Sequence, residues 1–151
     1  MNLKIDKMTL DDLYNIQEIL YSDFDDFWTF ATFKQELECE NSYFLVAKSD
    51  SEIVGFAGFK IIIDEADIMN VVVNKNFRNQ GIGSLLLNEL INLADSLKIK
   101  QMTLEVNEKN LPAISLYHKC GFIDIGIRKN YYNDVDDAIL MRQVGQSWYV
   151  S

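Results

Sequence analysis

The chain has 151 residues, of which 48% are hydrophobic and 25% charged, with only 7 Gly and 1 Pro. This composition excludes a disordered, collagenous or fibrous chain and predicts one packed domain over residues 1–142, followed by a tail over 143–151 with no clear period. A formal charge of −9 repels phosphate backbones and anionic membranes, so we expect no nucleic-acid partner and no membrane partner.

The few cysteines, the single histidine and the short apolar runs exclude further classes of protein. Cys39 and Cys120 are too few for a disulfide framework and stand in no zinc-binding spacing, so we expect reduced thiols and no metal. Charges interrupt the first seven positions, and no apolar run approaches the ~20 residues that cross a bilayer. We therefore expect a cytoplasmic protein. The single histidine, His118, disfavours Ser-His-Asp or Cys-His catalysis.

Helical and strand periods alternate throughout the chain, without a linker or an internal repeat. This alternation predicts a single α/β unit. The β-branched run at residues 71–73 is typical of a buried central strand. In chain order, the predicted elements are a strand over 3–5, a helix from the N-cap Thr9 through Leu20, a helix over 32–40, and strands over 43–48, 53–64 and 67–74.

The second half contains the clearest helix signal. Apolar residues at 82, 86, 90, 93 and 97 have the spacing of a helix with one buried face. Asn110 is the expected N-cap of a later helix, and Gly121 stands where a helix C-terminus favours glycine. The predicted elements here are a helix over 81–97, a strand over 102–106, a helix over 110–120, and strands over 122–128 and 138–142.

The segment VVVNKNFRNQGIGS, residues 71–84, takes a strand directly into a helix through a turn with two glycines. Such a turn exposes backbone N–H groups at a helix start, where the partial positive charge can bind a phosphate. The segment lacks the Lys-Ser/Thr of a Walker loop, and Leu86 replaces the third glycine of a dinucleotide-binding turn. Gly81 and Gly83 taken alone favour a simple tight turn.

Two residues outside this turn are candidates for acid-base chemistry. Alternation in the strand places Glu105 on the face opposite Leu104 and Val106, where it is either a general base beside a cleft or an exposed edge-strand Glu. Helical angles place Tyr117 on the inner face of its helix and His118 on the outer face. A buried core tyrosine is the simple alternative for Tyr117.

The Arg-x-x-Gly-x-Gly pattern at residues 78–83 resembles the coenzyme A pyrophosphate loop of the GCN5-related N-acetyltransferase (GNAT) superfamily. Residues 104–122 resemble the second conserved block of that superfamily, with Leu104-Glu105-Val106 followed by Asn110 and Tyr117 in order. RKNYY at 128–132 and DAILM at 137–141 resemble the C-terminal signature of RimI-type ribosomal-protein alanine N-acetyltransferases. This resemblance implies the acyl-CoA N-acyltransferase fold, a mixed, partly splayed sheet of about six to seven strands flanked by about four helices.

The resemblance also implies the cosubstrate and the site residues. Acetyl-CoA would lie between the fourth and fifth strands, and no metal would take part. Glu105 would be the general base and Tyr117 the general acid that protonates the coenzyme A sulfur. The residues implied to bind the cosubstrate are Val71, Val72, Val73, Arg78, Asn79, Gln80, Gly81, Ile82, Gly83, Ser84 and Asn110.

The acceptor candidates are aromatic and acidic residues on segments that flank the acceptor side in this family. Aromatic residues can also be core, and acidic runs are usually solvated. Together they predict a groove for a protein N-terminus with nearby basic residues, which favours a ribosomal protein as partner. The alternatives are a small amine, polyamine or lysine side chain as acceptor, or a non-catalytic coenzyme A-binding regulator. The candidates are Phe27, Trp28, Tyr131 and Tyr132, with Asp23, Asp25 and Asp26.

Overall fold

The computed structural model describes residues 2–24 and 28–144. Within these residues, seven strands form one mixed sheet accompanied by five α-helices, which confirms the predicted fold class. The strands are Leu3–Lys7 (β1), Ser42–Ser49 (β2), Glu52–Ile62 (β3), Glu65–Val73 (β4), Gln101–Asn107 (β5), Ile123–Tyr132 (β6) and Asp136–Val144 (β7). The helices are Leu10–Asn15 (α1), Leu20–Asp23 (α2), Phe30–Leu37 (α3), Ile82–Ser96 (α4) and Leu111–Lys119 (α5), and short 3-10 segments cover Gln17–Ile19 and Lys75–Phe77.

The chain contacts define two compact units. The first comprises the described residues within 1–61 and 69–90, and its strands lie in the order β1-β2-β3-β4. The second comprises the described residues within 62–68 and 91–151, and its strands lie in the order β4-β5-β7-β6. β4 and α4 therefore contribute residues to both units.

The predicted helix from Thr9 through Leu20 is correct at its start and wrong in its extent. Thr9 and Asp12 form a reciprocal capping box, because each side chain accepts the other's backbone N–H, at 3.2 and 2.9 Å. The helix is interrupted because Ile16 and Ile19 leave helical geometry, with φ of −109° at each. A 3-10 segment joins α1 to α2, and its turn keeps Ile16 and Leu20 buried in the same core.

The bounds predicted for the second helix, 32–40, are also wrong. Thr29 is the N-cap, since its hydroxyl accepts the N–H of Thr32, so α3 begins at Phe30 and ends at Leu37. Phe33 of α3 is fully buried against Phe44 and Phe56 of the sheet, with ring centroids 5.3 and 5.0 Å apart. This aromatic packing fixes the helices of the first unit on the sheet.

A glycine in β3 positions the start of α4. A Cβ atom added to Gly55 would lie 3.0 Å from Leu86 Cδ1 and 3.0 Å from the carbonyl oxygen of Val72. A side chain at this position would therefore crowd Leu86 of α4 and the backbone of β4. Glycine at position 55 lets α4 pack closely on β3 near Leu86.

In the second unit, β5 pairs antiparallel with β7 along its whole length but pairs parallel with β4 only from Gln101 to Thr103. The pairing of β5 with β4 ends at Thr103, whereas its pairing with β7 continues to Asn107. The predicted strands 122–128 and 138–142 are too short. β6 continues to Tyr132, and β7 runs to Val144, two residues into the predicted tail.

Within the described parts of the chain, no helix has the length and apolarity needed to span a bilayer.

Candidate active site

The loop from Asn74 to Gly81 begins from a fixed strand end. Asn74 is buried, its backbone N–H donates to the carbonyl of Val54 at 2.8 Å, and its side-chain oxygen accepts the N–H of Asn76 at 2.8 Å. Arg78 Nε donates to the carbonyl of Val73 at 3.3 Å. The guanidinium of Arg78 is thereby held at the end of β4.

The backbone then turns sharply into α4. Asn79 and Gly81 have φ of +63° and +81°, the left-handed region that glycine adopts without strain. A Cβ atom added to Gly81 would meet nothing within 4 Å, so the space beside the turn is open. Because the first N–H groups of α4 have no partner within the helix, this open turn has the donors that bind a phosphate. Asn79, Gln80 and Gly81 are exposed, whereas Ile82 is buried and anchors the helix start.

Of the three valines that precede this loop, Val72 is buried in the core of the first unit, and Val71 and Val73 are half-buried. Their side chains pack into the protein, so any contact of these valines with a ligand would be made by their backbone N–H and C=O groups.

Glu105 lies on β5, where the burial of Leu104 and Val106 shows the alternation that the sequence predicts. The side chain of Glu105 is 27% exposed, and its Oε1 lies 3.1 Å from Nη2 of Arg128. The other oxygen, Oε2, is buried and has no hydrogen-bond partner among the described residues. One oxygen of this carboxylate is thus held by a cation, and the other is available to accept a proton.

Tyr117 lies on the inner face of α5 and is only 8% exposed. Its ring packs edge-on against Phe122, with centroids 5.9 Å apart. Burial, and then the neighbouring phenol of Tyr132, raise the pKa of Tyr117 to about 12. His118 points outward, as predicted, and its Nε2 lies 2.8 Å from Asp124 Oδ1 on the surface.

Two further acidic groups interact with these side chains in the second unit. Burial, and then the negative charge of Glu105, raise the pKa of Tyr132, with a smaller contribution from Tyr131. Burial and the charge of Glu105 also raise the pKa of the Asp67 carboxyl. Asp67, Glu105, Tyr117 and Tyr132 therefore form one set of electrostatically linked groups, which we call the acidic set.

Sequence reasoning missed Asp67 and the contact of Arg128 with Glu105. Asp67 was visible as one of two acidic residues, with Glu65, in a strand that ends in the apolar run at 71–73. Arg128 was visible only as the first residue of the RKNYY signature, and nothing in the sequence shows which carboxylate it meets.

Asn110 serves as the N-cap of α5, as predicted, because its side-chain oxygen accepts the N–H of Ala113 at 3.3 Å. That oxygen already accepts one hydrogen bond within the helix, and the amide NH₂ of Asn110 is the donor that it can offer to a ligand. Asn110 is exposed, so this donor is accessible.

The aromatic acceptor candidates have different surroundings. Trp28 packs against Phe33 and Phe44 at the core of the first unit, with ring centroids 5.6 and 6.2 Å apart. Tyr131 is half exposed and lies edge-on to Tyr132, at 5.0 Å. The remaining residues named from the sequence in this context, Phe27, Asp25 and Asp26, lie outside the described residues, as does the end of the tail.

In residues 2–24 and 28–144, no group of three His, Cys, Asp or Glu side chains is arranged to hold a metal ion.

Comparisons with known proteins connect this geometry to a family. The model of the acetyltransferase (GNAT) family matches residues 13–122. A Bacillus subtilis protein, provisionally named a ribosomal protein bS18-alanine N-acetyltransferase, is 37% identical over 137 residues, which cover 89% of this chain and 90% of that protein. An N-alpha-acetyltransferase of Sulfolobus acidocaldarius is 32% identical over 154 residues, covering 93% of this chain and 92% of that protein.

A solved structure of a similarly named protein has the same fold. The crystal structure of the ribosomal-protein-S18-alanine N-acetyltransferase from Escherichia coli has a TM-score of 0.85 and 28% identity, covering 95% of this chain and 94% of that one. Because the family match spans most of the chain and the full-length relatives carry the name of N-acetyltransferases, the chain belongs to the acetyltransferase (GNAT) family and is an N-acetyltransferase.

Proposed function

We propose that this protein transfers the acetyl group of acetyl-CoA to the N-terminal α-amine of a protein, with a ribosomal protein as the acceptor. The observation that carries the proposal is the free, buried Oε2 of Glu105 within the acidic set. An α-amine has a pKa near 8 and is mostly protonated at neutral pH, so it needs a base before it can attack. The names of the full-length relatives, which act on protein N-termini, support this choice of amine.

The reaction needs no covalent enzyme intermediate. Glu105 accepts a proton from the acceptor ammonium, and the neutral amine then attacks the thioester carbonyl directly. A carbon–nitrogen bond forms, the nitrogen loses its surplus proton to solvent, the carbon–sulfur bond breaks, and Tyr117 donates its phenolic proton to the departing sulfur. Glu105 then releases its proton to solvent. Tyr117 regains a proton from solvent. Because its pKa is about 12, the phenol holds its proton at neutral pH, as a general acid must.

The loop at residues 78–84 would bind the diphosphate of the cosubstrate. The donors would be the backbone N–H groups of the first turn of α4, which lie next to the open space at Gly81. The Arg78 guanidinium would add a positive charge, and the amide NH₂ of Asn110 a hydrogen-bond donor toward the pantetheine. Backbone groups of Val71, Val72 and Val73 would pair with the same arm.

On the acceptor side, Trp28, Tyr131 and Tyr132 would contact the first residues of the peptide. The net charge of −9 attracts an N-terminus followed by basic residues. Since this attraction acts between solvated charges, added salt should weaken it.

A panel of acceptors tests the proposal. The enzyme is incubated with acetyl-CoA and a peptide with N-terminal alanine and downstream basic residues, the same peptide blocked at its α-amine, spermidine, and a small primary amine. We expect turnover of the first peptide, loss of turnover when the α-amine is blocked, and a rising KM with added salt. Efficient use of spermidine or the blocked peptide, with no use of the free one, would instead support a small-amine or lysine acceptor.

Binding measured in parallel separates an enzyme from a regulator. If acetyl-CoA binds by calorimetry and no amine in the panel is acetylated, the protein is a coenzyme A-binding regulator and the proposal is wrong. Glu105→Gln is the control, because it should bind acetyl-CoA while losing turnover.

A further inference from the structure

β6 contains an irregularity directly beside the acidic set. Arg128 pairs with Ala138 and Tyr132 with Asp136, so four steps along β6 correspond to only two steps along β7. Asn130 takes up part of the extra length in the left-handed region, with φ of +52°, which asparagine tolerates better than most residues. This is a β-bulge between residues 128 and 132, and such bulges redirect side chains.

The bulge is anchored to the end of β5. Asp137 Oδ1 accepts the backbone N–H of Asn130 at 2.9 Å. The backbone of Asp137 in turn exchanges two hydrogen bonds with Glu108, just after β5: its N–H donates to Glu108 Oε2 at 2.6 Å, and its carbonyl accepts the Glu108 N–H at 3.0 Å. The hydrogen bond from the Asn130 N–H lowers the pKa of the Asp137 carboxyl. Burial opposes this effect and Lys129 adds to it, so the ionised form of Asp137 is favoured. The irregular part of β6 is therefore held in a defined position.

The bulge brings Arg128 and Tyr131 together. In a regular strand, residues three apart point to opposite faces of the sheet. Here the Arg128 guanidinium carbon lies 5.3 Å from the centroid of the Tyr131 ring, within the range of a cation–π contact. The same guanidinium places Nη2 3.1 Å from Glu105 Oε1.

The ion pair between Arg128 and Glu105 adds little to the stability of the fold. The Arg128 side chain is 56% exposed, and ion pairs of that kind typically contribute about 0–1 kcal/mol. What the contact does determine is the orientation of the Glu105 carboxylate, because it occupies Oε1 and leaves Oε2 buried without a partner.

We propose that Arg128, held on the Tyr131 ring by the β6 bulge, is a positioning residue for Glu105 that fixes Oε2 as the oxygen that accepts the acceptor's proton. This inference rests on the proposed role of Glu105 as general base. Arg128 itself touches neither reactant. A base held in one orientation removes a proton more efficiently than one that rotates, and small misplacements of a catalytic group can cost up to about 10²-fold in rate.

The first test is steady-state kinetics with two acceptors that the wild type turns over. One is a long peptide, and the other is the dipeptide made of its first two residues. Arg128→Met should lower kcat by about 10-fold or more with both acceptors and leave the KM for acetyl-CoA within about threefold. Arg128→Lys, which keeps a cation without the planar guanidinium, should retain part of the rate. Tyr131→Leu, which removes the ring beside the guanidinium, should lower kcat in the direction of Arg128→Met. Lys119→Met, which removes an exposed cation from α5, is the matched control.

A double-mutant cycle with Glu105→Gln gives the decisive result. If Arg128 acts through Glu105, Arg128→Met should have little further effect on kcat in the Glu105→Gln background. A full additional loss there, or a loss confined to the KM for the long peptide, would overturn the inference and make Arg128 a peptide-binding residue. A wild type that acetylates no amine would instead count against the proposed function. A thermal melt of each variant shows whether it is folded. If Arg128→Met folds poorly, Arg128→Lys takes its place in the cycle.

Discussion

The carboxyl groups of Asp67 and Glu105 lie on neighbouring strands and on the same face of the sheet in the second unit. Asp67 pairs with Thr103 at the last position where β4 and β5 are joined, and Glu105 lies two residues beyond Thr103. Burial, and then the charge of Glu105, raise the pKa of Asp67, so the folded chain binds this proton more tightly than the unfolded chain.

Asp67→Asn should therefore stabilise the protein at neutral pH. A carboxyl whose pKa is raised on folding stabilises the folded state at low pH, and that contribution is lost as the pH rises through the folded pKa. We expect a gain in stability at pH 7 that shrinks toward zero below about pH 4, in urea unfolding followed at several pH values. Asp50→Asn, in an exposed turn, is the control and should change little. A loss of stability at pH 7 for Asp67→Asn would contradict the electrostatic account.

The opposite sign is expected for Asp12. Burial alone would raise the pKa of this carboxyl, but the Thr9 N–H and the Lys48 ammonium, 3.0 Å away, outweigh it and lower the net pKa. The ionised carboxylate thus stabilises the folded state above its unfolded pKa, and this contribution is lost as the pH falls through the folded value.

Asp12→Ala should destabilise the first unit by about 1–3 kcal/mol at pH 7, because it removes the capping box and the ion pair from a side chain that is only 6% exposed. The deficit should narrow on acidification to about pH 3. Asp11→Ala, one residue earlier in the same helix turn and without these contacts, is the comparison. An equal loss at every pH would assign the effect to packing instead.

The cosubstrate loop can be tested without measuring turnover. Gly81→Glu and Gly83→Glu should each abolish binding of coenzyme A in calorimetry, because a carboxylate at the helix start repels the diphosphate and, at position 81, a side chain is strained at φ of +81°. Asn88→Glu adds the same charge to an exposed position further along α4 and should bind normally. Wild-type affinity in both folded glycine variants would remove the loop from the site.

Turnover should depend on both the base and the acid. Glu105→Gln and Tyr117→Phe should each lower kcat by roughly 10²-fold with little change in acetyl-CoA affinity. Since the pKa of Tyr117 is about 12, loss of its proton should cause no decline of kcat between about pH 7 and 10. If either variant lost less than about threefold while chemistry limits the rate, that residue would not have the assigned role.

Much of the fold followed from local patterns in the sequence. The apolar spacing of α4, the N-caps Thr9 and Asn110, and the alternation around Glu105 are each determined by residues within a few positions of one another. The departures depend on longer-range contacts. The breaks at Ile16 and Ile19 keep apolar residues in one core, which a single helical period does not show.

The site was less predictable for the same reason. The resemblance to a family implied Glu105 and Tyr117, but the bulge at Asn130 and the pairing of Arg128 with Glu105 depend on contacts between β5, β6 and β7. The regular alternation of side chains between the two faces of a strand fails at such a bulge, because the bulge changes the face on which each later residue lies. Asp67 was visible as an acid in a strand, yet its coupling to Glu105 depends on the register of a parallel pair.

The central claim is best tested by locating the acetyl group on one product. A peptide with a free N-terminal alanine and an internal lysine is incubated with acetyl-CoA and the wild-type enzyme, and the product is sequenced by tandem mass spectrometry. The account predicts a single acetyl group on the α-amine, formed by the wild type and not by Glu105→Gln. Acetylation found only on the lysine side chain would contradict it.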